Sequence, residues 1–357
     1  MVNAMSKVYF LPIEKIDRFN EFIKFCGIIE NIIKENDIVA IKVHFGEKDN
    51  RGHVKPLYVK SVVRLLKERA AKPFLTDANT IYLGARADAI SHIEVAYQHG
   101  FTYDVVGCPV IIADGVRGNS YIEVAVDLKH FRKVKIAREI YYSDAIVAIT
   151  HFKGHEITGF GGAIKNIGMG CAARAGKYEM HNSVLPQVDI NRCTACGMCI
   201  KWCPASAIHF KEINSKKVAY IDDKKCIGCG ECILSCSKFR AITIPWNENV
   251  KVCQEKIVEY AYGAVRNKPA MYINFLTFIT KYCDCYRTKE TPALEDIGVL
   301  VSKDIVAIDK ASVEIVNKKA GKDLFREFWP NIDWSVQLKY AEELQLGEGK
   351  YEMIEYS

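Results

Sequence analysis

Hydrophobic and polar positions alternate between two periods along the first 150 residues. Residues 37–43 (DIVAIKV) form a short apolar run of strand length, and 56–70 carry helical spacing behind Pro56 at the first helical position. Residues 73–77 (PFLTD) read as a strand and 85–99 as a helix stopped by Gly100. Residues 110–113 read as a third strand, 129–142 as a helix and 145–150 (AIVAIT) as a fourth strand. Continuous apolar strands alternating with helices predict a parallel sheet covered on both faces, a Rossmann-like α/β fold. After residue 246 the pattern returns: a helix over 250–266, a strand or buried helix over 271–278, strands over 298–301 and 305–308, and a helix over 311–319.

Between these stretches, from about residue 185 to 244, cysteine spacing replaces hydrophobic periodicity. Cys193, Cys196, Cys199 and Cys203-Pro204 read C-x2-C-x2-C-x3-C-P, and Cys226, Cys229, Cys232 and Cys236 repeat the spacing 33 residues later. The repeat extends to Asp189 and Asp222, to Gly197 and Gly230, and, with a one-residue shift, to Ala207-Ile208 and Ala241-Ile242. Pairs of C-x2-C also suit zinc, but four cysteines per run and the x3-C-P ending point to [4Fe–4S] clusters. The stretch resembles a two-cluster bacterial-type ferredoxin, an α+β module. In that family the fourth cysteine of each run ligates the other cluster. The resemblance therefore implies one cluster on Cys193, Cys196, Cys199 and Cys236 and a second on Cys226, Cys229, Cys232 and Cys203, with Ser237 where the family has proline. The expected organisation is an α/β domain over 1–185, the inserted two-cluster module over 186–246, and an α/β segment over 247–357 that completes or packs on the first domain.

Composition supports this reading. The chain has 357 residues, 14 cysteines and a formal charge of +6. Two clusters, each contributing about −2 with its thiolates, bring that to roughly +2, so the basic balance does not signal nucleic acid. The start lacks the basic and apolar regions of a secretory leader, and no apolar run is long enough to span a membrane. Cysteine-rich, unexported and without a span, the chain reads as cytoplasmic, with thiolates used for metal, and as the product of an anaerobe.

A second candidate site follows the strand 145–150. His151, Lys153, His155, Gly159, Gly161, Gly162 and Lys165 lie in HFKGHEITGFGGAIKN, and a helix beginning near Gly162 would aim free N–H groups at an anion. In open α/β sheets ligands bind at the carboxyl ends of strands. Cys283-Asp284-Cys285 is a candidate third metal or redox site, with Cys171 or Cys108 as further thiols. His44, Asp77, Asn79 and Asp309 end apolar segments and could enter the same cleft.

HFKGHEITGFGGAIKNIGMGCA, the cysteine segment and the CDC motif together resemble the domain of unknown function 362 family, iron–sulfur-centre proteins of unassigned reaction. Locally, His155, Lys165 and His181 also reproduce the H-x9-K-x15-H spacing of the nickel-pincer lactate racemase family. That resemblance implies Lys165 as a cofactor tether, His181 as a metal ligand and His155 as a proton-transfer group. The chain departs from it in lacking the G-T-H-R segment, near whose place stands Asp77-Ala78-Asn79-Thr80, and in carrying the cysteine module. The expectation is an electron-transfer protein and oxidoreductase of unknown substrate, with two [4Fe–4S] clusters and an additional metal or organic cofactor as a further candidate. Its partner would be a redox protein or a small molecule. A racemase-like isomerase and a non-catalytic electron carrier are the alternatives.

Overall fold

The computed structural model describes residues 5–286 and 290–357, so the first four residues of the stretch read for a leader lie outside it. Its centre is a seven-stranded sheet of β1 (Ser6–Pro12), β2 (Ile38–Val43), β3 (Lys72–Thr76), β4 (Ala145–His151), β5 (Ala270–Leu276), β6 (Gly298–Ser302) and β7 (Tyr351–Glu355). The strand order is β7-β1-β6-β5-β4-β2-β3. Every neighbouring pair is parallel except those made by β6, which runs antiparallel to both β1 and β5. The sheet is therefore mixed rather than wholly parallel.

Side chains alternate across the sheet, and each face carries its own core. Val39, Ile41 and Val43 of β2 join Val147 and Ile149 of β4 on one face, beneath α1 (Phe19–Cys26) and α2 (Pro56–Glu68). Ala40, Ile146, Ala148 and Tyr272 face the other core, which is covered by α4 (Ala163–Gly170), α6 (Val250–Val265) and α7 (Ile305–Ala320). Between them in sequence lie α3 (Ala89–Gln98), capped by Asp88, and α5 (Arg174–His181).

Three expected elements differ. Residues 110–113 contribute a single bridge, Val110 to Leu75, instead of a full strand. Residues 129–142 are not one helix: Lys133–Ala137 is a strand paired with Tyr121–Ala125, and only Arg138–Tyr142 is helical. Residues 305–308 are the first turn of α7, because the Asp304 carboxylate accepts hydrogen bonds from the backbone N–H groups of Val306 and Ala307.

The chain leaves the sheet after β4 and re-enters beside it at β5, with the cysteine-rich stretch between. That stretch is closed at its base by Gln187–Val188 pairing with Ile242–Thr243, and holds a hairpin of Ile208–Ile213 and Lys216–Ile221. Its internal repeat is visible in the backbone. Asp189 N–H donates to Ala241 O at 2.7 Å and Asp222 N–H to Ala207 O at 2.8 Å. Gly197 and Gly230, at φ of 77° and 71°, each open a short helix.

Candidate functional site

A cavity of about 800 Å³ opens at the carboxyl ends of β2, β3 and β4. It is lined by His44, Asp77, His151, His155, Gly161, Gly162, Lys165, His181, Cys283 and Cys285, so residues as far apart in the chain as His44 and Cys285, 241 positions, share one space. The predicted His/Lys/Gly stretch and the CDC pair thus meet. Asn79 does not join them: its amide is turned to Asp114 and the Gly115 carbonyl. Cys108 and Cys171 are buried in the two sheet cores and do not line the cavity.

The histidines differ in what their nitrogens can do. His151 Nδ1 lies 2.8 Å from Asp284 Oδ2, and its Nε2 lies 3.0 and 3.1 Å from the Thr277 and Phe278 carbonyls. Both nitrogens are taken up in holding the 277–284 loop. His155 Nδ1 accepts from the Ile157 and Thr158 N–H groups, which leaves Nε2 as the protonated nitrogen of a neutral ring. Burial, reinforced by the Lys165 charge, holds its pKa well below the usual histidine value. His181 packs edge-on against Trp246 with centroids 5.1 Å apart. Burial and then Lys165 push its pKa down to about 4.

Lys165 has no hydrogen bond or ion pair among the described residues. Burial alone would lower its pKa, but Cys283 and Cys285, with Glu156 and Asp284, outweigh this and raise it. The helix N-terminus ahead of it is not open to a ligand as expected. Ala163 and Ile164 N–H groups donate to Asp309 at 2.7 and 2.9 Å, and Asn274 Nδ2 adds a third bond at 2.8 Å. A Cβ on Gly162 would come within 2.4 Å of that carboxylate, so glycine there admits Asp309 of the chain itself. Asp309 sits in α7, not at a strand end.

Several lining residues carry no motif. Lys42 is fully buried in β2, bridged to Asp77 at 3.0 Å and to Asn166 Oδ1 at 2.7 Å. Arg86 lies 3.4 Å from Glu47 and 3.5 Å from Asp77. Burial opposes ionisation of Asp77, yet Lys42 and His92 hold its carboxyl well below the ordinary value. Lys177 donates to the Asn79 and Ala172 carbonyls, and burial lowers its pKa to about 8. The readable signal was Lys42, a charge inside an otherwise apolar buried strand.

Cys193, Cys196, Cys199 and Cys236, three from one run and one from the other, line a second, small cavity. Cys229, Cys226, Cys199 and Cys203 are all electrostatic neighbours of Cys232. Backbone N–H groups of Ala219, Ala241 and Ala207 donate to Cys193, Cys236 and Cys203 sulfurs at 3.3, 3.3 and 3.2 Å. A donor set of four soft sulfurs with N–H donors suits a cubane cluster. Among the described residues, no three His, Cys, Asp or Glu side chains gather tightly enough for a single metal ion, the CDC pair included.

The main cavity and the second cysteine run are both touched by α5. At its start the buried Arg174 guanidinium bonds the Thr80, Arg117 and Ala87 carbonyls and lies 3.4 Å from Glu231, in the second cysteine run. Tyr178 packs in the hydrophobic cluster of the cysteine segment, where burial, Cys232 and Cys226 raise its pKa. One turn later His181 lines the main cavity, as do Arg240 and Trp246 at the end of the cysteine segment.

No helix among the described residues is long and apolar enough to cross a membrane. No curated protein matches the chain. Solved structures are similar at low identity, two of them as follows. One is a Thermotoga maritima protein, at 13% identity and TM-score 0.45, covering 86% of this chain and 59% of that one. The other is the lactate racemase apoprotein from Thermoanaerobacterium thermosaccharolyticum, at 12% identity and TM-score 0.39, covering 89% and 58%. The chain therefore spans less than two thirds of either structure. The family model described as "Domain of unknown function (DUF362)" matches residues 39–314, and the chain belongs to that family.

Proposed function

We propose that the protein is an iron–sulfur oxidoreductase that exchanges electrons between its cysteine segment and a substrate in the cavity at the strand ends. Cys193, Cys196, Cys199 and Cys236 would hold one [4Fe–4S] cluster, and Cys226, Cys229, Cys232 and Cys203 the other. When bound, these clusters supply one-electron transfer. The observation that carries the reading is α5, which touches the second cysteine run through Arg174 and Tyr178 and the main cavity through Lys177 and His181. At 1.5 Å of rise per residue, Tyr178 and His181 are only about 5 Å apart along the axis.

The cavity residues divide the remaining work. Lys165 and Arg240, without side-chain partners among the described residues, favour an anionic substrate. Neutral His155 offers its Nε2 proton to a substrate group that gains negative charge on reduction. His151 is a positioning residue, acting through Asp284 on the loop that bears the two thiols.

Reoxidation of the dithionite-reduced holoprotein by a panel of small anionic acceptors tests this. An acceptor that reoxidises the wild type should react at least tenfold more slowly with His155→Ala and Lys165→Ala at unchanged iron content. Equal rates in all three would remove the cavity from the reaction and leave an electron carrier. A second reading is favoured by one observation, that His155, Lys165 and His181 share the cavity. It makes the protein an isomerase with a cofactor tethered to Lys165. A denatured mass equal to that of the bare sequence would exclude that adduct.

A further inference from the structure

Cys283 and Cys285 are presented to the cavity by the residue between them. Asp284 is buried away from the opening, its carboxylate against His151 at 2.8 Å and Lys153 at 3.4 Å. Its carbonyl accepts from Glu47 N–H at 2.8 Å, and Tyr286 O accepts from Asn50 Nδ2 at 3.2 Å. With the middle residue clamped, both flanking sulfurs line the cavity instead of pointing to opposite sides. Cys285 N–H donates to Cys283 Sγ at 3.2 Å. Cys285 Sγ lies 3.5 Å from His44 Nε2.

The tautomer of His44 follows from its other nitrogen. Nδ1 accepts from Gly46 N–H at 3.1 Å, so in the neutral ring Nε2 carries the proton and donates to Cys285 sulfur. A sulfur that receives a ring N–H is favoured as thiolate, the nucleophilic form. The hydrogen bond from Cys283, and then His44 and Arg86, hold the Cys285 pKa well below that of a free thiol, while Cys283 is held above it. That asymmetry separates an attacking thiolate from a resolving thiol.

We propose that Cys283 and Cys285 are a redox-active dithiol that reduces a small, carboxylate-bearing disulfide held in the cavity by Lys165 and Arg240. This rests on the electron-transfer reading above. Cys285 thiolate attacks one sulfur of the substrate; the substrate S–S bond breaks, a mixed disulfide forms and one thiolate leaves. Cys283 loses its proton and attacks Cys285 Sγ, closing the Cys283–Cys285 bond and expelling the second thiolate. The Cys283 proton and one proton from solvent end on the two product thiols. Two electrons, one from each of two reduced iron–sulfur clusters, and one proton from solvent restore the Cys285 thiolate and the Cys283 thiol. A cavity of about 800 Å³ is in the size range of small-molecule sites.

The test uses holoprotein purified without oxygen, dithiodiglycolate as anionic probe and 2-hydroxyethyl disulfide as neutral probe. After exposure, the protein is denatured, alkylated with iodoacetamide and mapped by mass. Dithiodiglycolate should convert Cys283 and Cys285 from doubly alkylated to an alkylation-resistant peptide two hydrogens lighter, and dithionite should reverse this. Cys283→Ser should trap a thioglycolate adduct on Cys285, and Cys285→Ser should trap none. Lys165→Ala with Arg240→Ala should lower the preference for the anionic over the neutral probe about tenfold. Full alkylation of both cysteines in the exposed wild type overturns the proposal, as does a metal ion retained by the wild type and lost from Cys283→Ser. Iron content and reduced-state electron paramagnetic resonance of the same samples keep the two readings apart. Normal clusters with unreactive thiols sink only the dithiol, and absent clusters sink the electron-transfer reading.

Discussion

The sheet-bearing body and the cysteine segment are stabilised in different ways. The body buries two continuous hydrophobic clusters, one on each face of its seven strands. The segment's cluster has eleven buried residues; four are cysteines, and a fifth, Tyr178, is lent by α5 of the body. Thiols are poor substitutes for packed aliphatic side chains, and a stretch of about sixty residues has little interior to begin with. The body carries enough hydrophobic burial to fold on, whereas the segment would depend on the proposed clusters and on its neighbour.

Iron removal should break the comparison most visibly. Chelation of the reduced holoprotein should abolish amide protection across residues 187–243 while β2, β4 and β5 keep theirs, as read by hydrogen exchange. Uniform loss in both regions would show that the body, too, depends on the clusters. Next in size is the buried charge network of the body. Asp77→Ala leaves Lys42 and Arg86 without their shared carboxylate, and should destabilise by about 3–5 kcal/mol in denaturant unfolding. Glu231→Ala addresses the seam between the regions. It removes the carboxylate shared by Arg117 and Arg174, but Arg174 keeps three carbonyl acceptors. The expected loss is about 2 kcal/mol, with increased proteolysis confined to the cysteine segment.

The smallest effect sharpens the picture by pH. Burial raises Asp309 from the ordinary value of 3.8 to about 6, against the hydrogen bonds from Ile164, Asn274 and Ala163. The fold therefore holds this proton more tightly than the unfolded chain. Its stabilising contribution is complete below about pH 4 and is lost as pH rises through 6, by up to about 3 kcal/mol. Asp309→Asn cannot titrate. The wild type's stability advantage over it should shrink between pH 4 and 6, and a constant difference would contradict the assignment.

How much of this was legible in the chain depended on whether the signal was local. Strands β2, β3 and β4 and the proline-started α2 were readable because short apolar runs and a fixed helix start need no distant partner. The repeated cysteine spacing was readable for the same reason. Residues 305–308 misled because IVAI suits a strand or a buried helix equally. The cue that separates them is Asp304, a cap just before a run that continues with helical period to residue 320. In 129–142 the alternation of VKIA marked a strand that basic residues on both sides obscured.

The cavity was half legible. His155, Lys165 and His181 stand in a recognisable spacing, and the CDC motif is conspicuous. Arg86, Lys177, Arg240 and Trp246 reach the same space from four separate places in the chain, and no local pattern marks any of them. The N-terminus of α4 was read as an anion site on sound local grounds. The anion that meets it is Asp309, 146 residues away from Ala163.

The most direct test of the central claim, that the cysteine segment holds two [4Fe–4S] clusters serving the cavity, is the metal content per chain of protein purified without oxygen. About eight irons, with matching acid-labile sulfide, is the expected result. Zinc in their place, with iron far below eight, would contradict it and remove the electron source on which the cavity chemistry depends.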